Sequence, residues 1–210
     1  MTVRYAKRAA DPVLSVVIPS VPTNDHSRTV THLHDQTFSA PYEIIIVDDA
    51  TIDRSVARNR GLTEAAANVV ALTDDDTAPP PAWLATIHSA FTEAPDLVCL
   101  EGPVYGGCRN HAPRHYVGCN LAVRRDEALA IGGFRSEFSE WRKDVEVGWR
   151  MERDADGDCR YCPEMRMRHP SVPRTSFKPH LERRLRAEYP ERYATVTVRQ
   201  SLSNSRRPTR

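Results

Sequence analysis

Val69–Pro81 has the sequence VVALTDDDTAPPP, a short apolar run followed by three aspartates and, soon afterwards, three prolines. Because the apolar residues are consecutive rather than alternating, the run predicts a strand that is buried on both faces. The prolines prevent a helix from beginning at once, so the aspartates are expected in a loop at the carboxyl end of that strand. Ligands of open α/β sheets bind at this end of the strands.

The three aspartates, Asp74, Asp75 and Asp76, form the first candidate site. Adjacent carboxylates repel one another unless a cation neutralises them. Hard oxygen ligands on a loop suit Mg²⁺ or Mn²⁺, with phosphate oxygens completing the coordination shell. The alternative is a solvated acidic turn, which we disfavour because the acids end an apolar strand instead of lying in a polar segment.

Strands and helices alternate over the first 100 residues. The predicted elements are a strand at Leu14–Pro19, a helix at Arg28–Thr37, a strand at Glu43–Val47, a helix at Ser55–Ala67, a strand at Asn68–Thr73, a helix at Trp83–Phe91 and a strand at Leu97–Leu100. This alternation predicts an α/β fold with a mostly parallel sheet and helices on both faces. Asp48 and Asp49 follow the second strand, so two acidic strand ends would lie side by side if their strands are neighbours.

The second half of the chain is less regular. Its predicted elements are a strand at Val117–Val123, a short helix at Asp126–Ile131 ended by two glycines, a helix from an Asp144 N-cap to about Arg153, a strand at Arg160–Arg168 and a helix that begins after Pro179. Beyond about Thr197 the chain is polar and basic, and disorder is expected there. We therefore expect a single domain over residues 1–196, with a first part at 13–101 and a second part at 102–196, followed by a tail at 197–210.

Composition restricts the class of protein. A chain of 210 residues with 40% hydrophobic residues is enough for one domain with its own core. No apolar run reaches the about 20 residues of a membrane span, and the basic stretch Met1–Ala10 lacks the apolar region of a signal peptide. Five cysteines are an odd number, which favours reduced thiols over a disulfide framework. A cytoplasmic protein is therefore expected.

Positive charge is concentrated near the end of the chain. Residues 166–210 contain 12 Arg and Lys against three Glu, so the first 165 residues carry the negative balance. A basic segment of this kind can contact a phosphate-bearing partner, an anionic membrane or nucleic acid, or it can simply keep the chain soluble. Its predicted helix, Leu181–Tyr189 with Arg183, Arg184 and Arg186, could contact an anionic membrane surface, or pack on the domain.

Seven motifs occur in the order found in family 2 glycosyltransferases, and over roughly residues 13–170 the chain resembles that family. The motifs are Ser15–Pro19, Glu43–Asp49, Ala57–Gly61, Thr73–Asp76 followed by Pro81–Leu84, Gly118–Arg125, Gly132–Phe134 and Asp144–Arg150. Each motif alone occurs by chance, whereas their joint order is specific. The resemblance implies a GT-A fold, a nucleotide-diphospho-sugar donor, a saccharide or lipid-linked acceptor and an inverting, metal-assisted transfer. We expect no nucleic-acid partner.

The resemblance also implies roles for individual residues. The nucleotide-sugar would be bound by Pro19, Ser20, Asp48, Asp49, Arg58, Asp74 and Asp75, and a Mn²⁺ or Mg²⁺ ion by Asp74, Asp76 and His169. The ion would neutralise the diphosphate leaving group as its charge develops. Arg60, in the same motif as Arg58, is expected to be a solvated helix charge.

Asp144 is the expected general base, which would accept the proton of the acceptor hydroxyl. The family usually has an acidic pair here, but this chain has Lys143 before Asp144. The positive charge of Lys143 would stabilise the carboxylate and weaken it as a base. The alternative role for Asp144 is a plain helix N-cap, and the two roles are compatible.

A second departure from the family pattern lies between the second strand and the Ala57–Gly61 motif. Only Ala50–Val56 separates them, so we expect a fold shortened by about one helix–strand unit. The alternative function is therefore a weak or inactive nucleotide-sugar-binding protein. A phosphatase of the haloacid dehalogenase type is set aside, because its Asp-x-Asp-x-Thr motif fails at Ala78 when counted from Asp74.

Two further groups of residues are candidates for binding. Cys159 and Cys162 have metal-site spacing, and Cys108 with His111 could complete a zinc site; the alternative is unpaired, partly buried thiols. Trp141, Arg142 and the stretch Gly106–Arg114 are expected to shape the acceptor pocket.

Overall fold

The computed structural model describes residues 2–48, 53–107, 112–170 and 177–196. Its strands are β1 (Thr2–Lys7), β2 (Leu14–Ser20), β3 (Tyr42–Asp48), β4 (Val69–Leu72), β5 (Leu97–Glu101), β6 (Val104–Gly106), β7 (Leu121–Arg124), β8 (Asp158–Tyr161) and β9 (Met167–His169). Its α-helices are α1 (Ser27–His34), α2 (Arg54–Glu64), α3 (Trp83–Glu93), α4 (Arg125–Ala130), α5 (Lys143–Asp154) and α6 (Pro179–Glu188), with a 3₁₀ turn at Ser136–Phe138.

Seven strands form one mixed sheet in the order β1-β3-β2-β4-β7-β5-β8. Strands β2, β3, β4, β5 and β8 run in the same direction, whereas β1 and β7 run against their neighbours. Strands β6 and β9 pair separately as a short parallel ribbon. The register Ser20↔Asp48 places the carboxyl ends of β2 and β3 side by side, and β4 ends next to them.

The core consists of two apolar layers, one on each face of the sheet. Alternate residues of the central strands supply both layers, because successive side chains of a strand point to opposite faces. Helices α2, α4, α5 and α6 cover the face that carries Val17 and Leu72. Helices α1 and α3 cover the face that carries Ile18 and Ala71. The predicted α/β class, with a mostly parallel sheet and helices on both faces, is confirmed.

The edge strand β1 is not predicted from the sequence, in which Met1–Ala10 is recognised only as a basic segment. Thr2–Lys7 pairs antiparallel with β3, and Arg4 forms an ion pair with Asp48 across the two strands. After β3 the next described element is α2, so no strand intervenes within the described residues between Asp48 and the Ala57–Gly61 motif. The N-terminal segment thus supplies the neighbour of β3 at this edge of the sheet.

Two of the strands predicted in the second half of the chain have different boundaries in the structure. The strand predicted at Val117–Val123 is Leu121–Arg124, because residues 117–120 form a turn. The Asn120 side chain in this turn accepts a hydrogen bond from Trp83 Nε1 and donates hydrogen bonds to two backbone carbonyls. The strand predicted at Arg160–Arg168 is two strands, β8 and β9, which belong to different sheets.

The start of α5 also differs from the expectation. Its N-cap is Arg142, which has a left-handed backbone with φ of 60° and makes no side-chain cap hydrogen bond. Asp144 therefore lies in the first turn instead of capping the helix. A carboxylate in the first turn is favoured by the positive end of the helix dipole.

The basic C-terminal helix packs on the domain. Leu181 and Leu185 of α6 are buried, and Tyr189 packs in the same core layer. Over the part of the chain that the structure describes, no helix has the length and apolarity needed to cross a membrane. The tail predicted at residues 197–210 lies outside the described residues, and the single-domain boundary stays a prediction.

Candidate active site

The carboxylate loop after β4 is held in place by its middle aspartate. Asp75 Oδ2 accepts hydrogen bonds from Ser20 Oγ at 2.7 Å and from Asn24 Nδ2 at 2.9 Å. The Thr29 hydroxyl lies within hydrogen-bonding distance of the carbonyl oxygens of Asp75 and Thr77, at 2.9 and 2.8 Å. Asp75 is buried, so its carboxylate ties the loop to the end of β2 while its two neighbours point elsewhere.

The two carboxylate oxygens of Asp74 face different groups. Oδ1 accepts a hydrogen bond from Arg58 Nη2 at 2.8 Å. Oδ2 lies 3.7 Å from Nε2 of His169, which follows Arg168 at the end of β9. The same imidazole nitrogen lies 3.4 Å from Oδ1 of Asp76, whose side chain is 42% exposed. The short ribbon β6–β9 thus brings His169 to the loop that the sequence singled out.

The cations around Asp74 hold its pKa low. Burial by itself would raise this pKa, but Arg58, the hydrogen bond with His169, and the charges of Arg54 and Lys143 outweigh burial and hold it well below the usual value. The carboxylate of Asp74 is therefore ionised at any physiological pH. An ionised carboxylate is the form that binds a divalent ion.

The donor atoms at this place fit a divalent ion. Among the residues that the structure describes, Asp74, Cys119 and His169 bring one ligand atom each within 4.8 Å of one another, and Asp76 reaches the same imidazole. Ligand bonds of about 2.1 Å place pairs of donor atoms about 3 to 4 Å apart around one ion, so only small side-chain movements are needed. Asp74, Asp76 and His169, all expected from the sequence, are thus brought together.

Arg58 reaches the site from helix α2. The helix begins at an Asp53 N-cap, whose Oδ1 accepts the backbone N–H groups of Ser55 and Val56. The Arg58 side chain is 1% exposed, donates to Asp74 and lies 3.6 Å, Nη1 to Oδ1, from Asp144. Burial would lower the pKa of Arg58, but Asp144 and Asp74 raise it above its usual value. The guanidinium therefore connects the carboxylate loop with α5.

Asp144 lies between Arg58 and the backbone of Gly118. A Cβ atom added to Gly118 would lie 2.3 Å from Asp144 Oδ1, so only glycine leaves room for this carboxylate. Within the described residues, Oδ1 is buried and has no hydrogen-bond partner. Lys143 is largely buried beside it, and its charge also acts on Asp74. Asp144 is thus part of the same charged constellation as the carboxylate loop.

The remaining predicted residues lie around this constellation. Pro19 and Ser20 end β2 beside Asp48, which ends β3 and pairs with Arg4. Asp49 lies outside the described residues, as do Cys108 and His111. Arg60 pairs with Glu64 one turn later on the helix surface, as expected for a solvated helix charge.

The zinc hypothesis stays a prediction, because two of its four ligands, Cys108 and His111, lie outside the described residues. Cys159 lies in β8 opposite Cys99 of β5, and the Cys162 thiol contacts Glu164. In the described ranges, the cluster of potential ligands that forms contains Cys119 instead of Cys159 or Cys162.

Two residues that lie in the site, Gly118 and Cys119, are not predicted as site residues from the sequence. Cys119 and Gly118 both lie in the Gly118–Arg125 motif, whose position in the site depends on the turn before β7 and was not predicted. The signal was the Gly-Cys-Asn triplet itself: a glycine where a backbone approaches another group, beside a potential metal ligand.

A comparison with protein families supports this arrangement. Residues 53–146, which include Arg58, the carboxylate loop and Asp144, match the sequence profile described as glycosyl transferase family 2. The matched residues make up just under half of the chain. A search among curated proteins found no match for the chain.

Solved structures share the fold of this chain. The structure of S. aureus TarS residues 1–349 in complex with UDP-GlcNAc has a TM-score of 0.65 at 14% identity, over 85% of this chain and 66% of that one. The mannosyltransferase PcManGT from Pyrobaculum calidifontis, in complex with GDP-Man and Mn²⁺, has a TM-score of 0.58 at 13% identity, over 92% and 65%. At these identities the likeness shows the fold alone, which is GT-A as expected. The chain spans about two thirds of the length of these two structures.

Proposed function

We propose that this domain transfers a sugar from a nucleotide-diphospho-sugar to an acceptor hydroxyl, with inversion at the anomeric carbon. One observation carries the proposal: the buried guanidinium of Arg58 joins Asp74, in the carboxylate loop, to Asp144 at the start of α5. Inverting transfer needs a cation-binding group at the leaving diphosphate and a base on the acceptor side, in fixed relation to each other. The buried Arg58 side chain would hold Asp74 and Asp144 in that fixed relation.

The donor would occupy the edge where β2, β3 and β4 end. Asp48 is placed to accept hydrogen bonds from a nucleotide base, with Pro19 and Ser20 beside it on the neighbouring strand. Arg4 competes for Asp48, so base recognition would involve this N-terminal residue as well. Support comes from the two fold neighbours, which were solved with UDP-GlcNAc and with GDP-Man.

The metal site would be formed by Asp74, Asp76 and His169. A Mn²⁺ or Mg²⁺ ion bound there would neutralise the negative charge that develops on the diphosphate. Arg58 keeps Asp74 ionised and directs its second oxygen towards His169, so the loop is prepared for a cation. Asp75 fixes the loop from behind through Ser20 and Asn24.

Asp144 would be the general base. Its Oδ1 is enclosed by Gly118 and Arg58, so the proton of the acceptor hydroxyl would be taken by Oδ2. A general base must lie within hydrogen-bonding reach of the proton that it accepts, so transfer would depend on exact placement of the acceptor hydroxyl.

The acceptor is proposed to approach from the side of Trp141. The Trp141 ring contacts Phe177 in an edge-to-face arrangement with centroids 5.4 Å apart, and Phe177 is 61% exposed. An exposed Phe177 ring beside Trp141, which precedes the proposed base by three residues, would suit a saccharide face, including the sugar of a lipid-linked acceptor. The exposed arginines of α6, which begins two residues after Phe177, would supply the membrane contact for such a lipid.

A second candidate is a protein that binds a nucleotide-sugar without turnover. The observation that favours it is Lys143, a buried cation next to the proposed base where an acid is usual. Binding and turnover must therefore be measured separately.

The experiment is a binding panel of UDP-, GDP- and dTDP-sugars, with Mn²⁺ or Mg²⁺, by isothermal titration calorimetry. We expect metal-dependent binding of one donor class by the natural chain, and at least about tenfold weaker binding by Asp76→Ala, because a metal ligand is lost. Asp126→Ala is the matched control, since Asp126 is an exposed aspartate whose carboxylate pairs with its neighbour Arg125 in the part of the chain that the structure describes.

Failure of every donor to bind would overturn the proposal and leave the likeness as one of fold. Equal binding by Asp76→Ala would remove the metal site from the account. Binding by the natural chain without donor turnover, in the presence of a panel of saccharide acceptors, would favour the second candidate.

A further inference from the structure

Cys119 is a third kind of ligand atom at the proposed metal site. Its side chain is 1% exposed, and its Sγ lies within 4.8 Å of both an Asp74 carboxylate oxygen and an imidazole nitrogen of His169. An oxygen, a nitrogen and a sulfur therefore converge on one position. Asp76, which is more exposed, lies on the solvent side of the same imidazole.

The thiol is held at this position by its neighbours in the chain. The next residue, Asn120, accepts a hydrogen bond from Trp83 Nε1 at 2.8 Å and donates from Nδ2 to the carbonyls of Pro103 and Met165. The residue before it, Gly118, is fixed against Asp144. A ligand atom between two anchored residues has little freedom to move away, which is the condition for a pre-formed metal site.

A divalent ion itself would supply the positive charge that a thiolate ligand needs, even beside the carboxylate of Asp74. Binding of a divalent ion would release the thiol proton to solvent and replace it by a metal–sulfur bond.

We propose that Cys119 Sγ coordinates the divalent ion together with Asp74 and His169, and that the site therefore selects thiophilic ions such as Co²⁺, Zn²⁺ or Cd²⁺ over Mg²⁺. The proposal deepens the proposed function, because it rests on the same metal site. Its reason is ligand softness: Mg²⁺ prefers an all-oxygen shell with several waters, whereas thiolate and imidazole ligands favour the softer and later ions.

The alternative is that Cys119 is only a small apolar core residue. It contributes to the apolar layer that also contains Ala122 and Met165, and buried thiols often have no further role. The two interpretations differ in one observable, a metal–sulfur bond.

The test is titration of the full chain with Co²⁺, followed by absorption spectroscopy. We expect a sulfur-to-cobalt charge-transfer band in the near ultraviolet with the natural chain. The band should be lost in Cys119→Ser and retained in Cys162→Ser, the matched control, whose thiol is partly exposed. Circular dichroism reports whether each variant is folded.

Competition between ions gives a second readout. We expect Cys119→Ser to bind Cd²⁺ at least about tenfold more weakly than the natural chain, with Mg²⁺ affinity changed by less than about twofold. Should Cys119→Ser fail to fold, Cys119→Ala replaces it, and bound Co²⁺ without a charge-transfer band in the natural chain overturns the proposal by itself.

The outcomes separate this proposal from the proposed function. A band that persists in Cys119→Ser would assign the sulfur to another cysteine and overturn thiol ligation at this site. Metal-dependent donor binding without any band would leave the transferase standing and remove Cys119. A band without donor binding would support the metal site and contradict the transferase.

Discussion

At the scale of single residues, Arg58 connects the two acidic parts of the candidate site. It is a buried cation with two carboxylate partners, and removal of a buried partner leaves uncompensated charge at a large cost. The sequence identified Arg58 and both of its partners, Asp74 and Asp144, as site residues. It could not show that the three touch, because the contact joins α2, the β4 loop and α5, which are up to 86 residues apart in the chain.

Gly118 provides the sharpest residue-scale prediction. In Gly118→Ala the new methyl group would lie 2.3 Å from Asp144 Oδ1, so the carboxylate must move. We expect a free-energy loss of about 1–3 kcal/mol from overpacking, together with a much larger fall in turnover than in donor affinity. Calorimetry for binding and nucleoside diphosphate release for turnover measure the two effects; an equal loss in both would place Asp144 outside the chemistry.

At the scale of elements, α2 and α5 are clamped around the turn that follows α4. Asn59 of α2 makes two hydrogen bonds to the backbone of Phe134, at 2.8 and 2.7 Å. From α5, the fully buried Glu146 accepts hydrogen bonds from Arg135, Arg150 and Tyr189. The motifs around these residues therefore specify the mutual placement of two helices, and with it the distance between Arg58 and Asp144.

Replacement of Asn59 tests this clamp. Asn59→Ala leaves a backbone N–H and a backbone C=O of Phe134 without their partner, which costs about 2–4 kcal/mol of unfolding free energy. The control is Asn68→Ala, because Asn68 is exposed and accepts a single side-chain hydrogen bond of 3.2 Å. Urea unfolding should show a clear loss for Asn59→Ala and under about 1 kcal/mol for Asn68→Ala. Equal losses would argue against the clamp.

The elements also show where prediction from sequence ends. Nearly continuous apolar runs such as Glu43–Val47 predict the central strands. A strand that is buried on both faces has such a run in its own sequence, whatever strands it pairs with. Strand β1 is not predicted, because its residues are partly exposed and its pairing with β3 is a long-range contact. The division into β8 and β9 is not predicted either, because an alternating pattern does not show that its two halves belong to different sheets.

At the scale of the whole molecule, a buried acid connects the sheet with α5. Glu101, at the end of β5, accepts the backbone N–H groups of Arg114 and Tyr116. The Tyr116 ring in turn packs against Gly148 of α5, where an added Cβ would lie 2.1 Å from the ring. Burial raises the pKa of Glu101 to about 7, despite these hydrogen bonds.

This shift predicts a pH dependence of stability. Between the usual value of 4.5 and about 7 the folded chain binds the Glu101 proton more tightly than the unfolded chain, so the stabilisation is complete below 4.5 and is lost as pH rises towards 7. We expect Glu101→Gln to reduce the fall in unfolding free energy between about pH 5 and about pH 8 by about 2–3 kcal/mol. Urea unfolding at both pH values measures it, with the exposed Glu137→Gln as control; an unchanged slope in Glu101→Gln would contradict the assignment.

The central claim is that Asp144 acts as the base of an inverting transfer at the carboxylate loop. The most direct measurement is nucleoside diphosphate release from the donor that binds, with Mn²⁺ present, by the natural chain and by Asp144→Asn, together with the anomeric configuration of the product by NMR. The account predicts an inverted product, and a variant that binds the donor but turns it over at least about 10²-fold more slowly. An undiminished rate in Asp144→Asn, or a product with retained configuration, would contradict it.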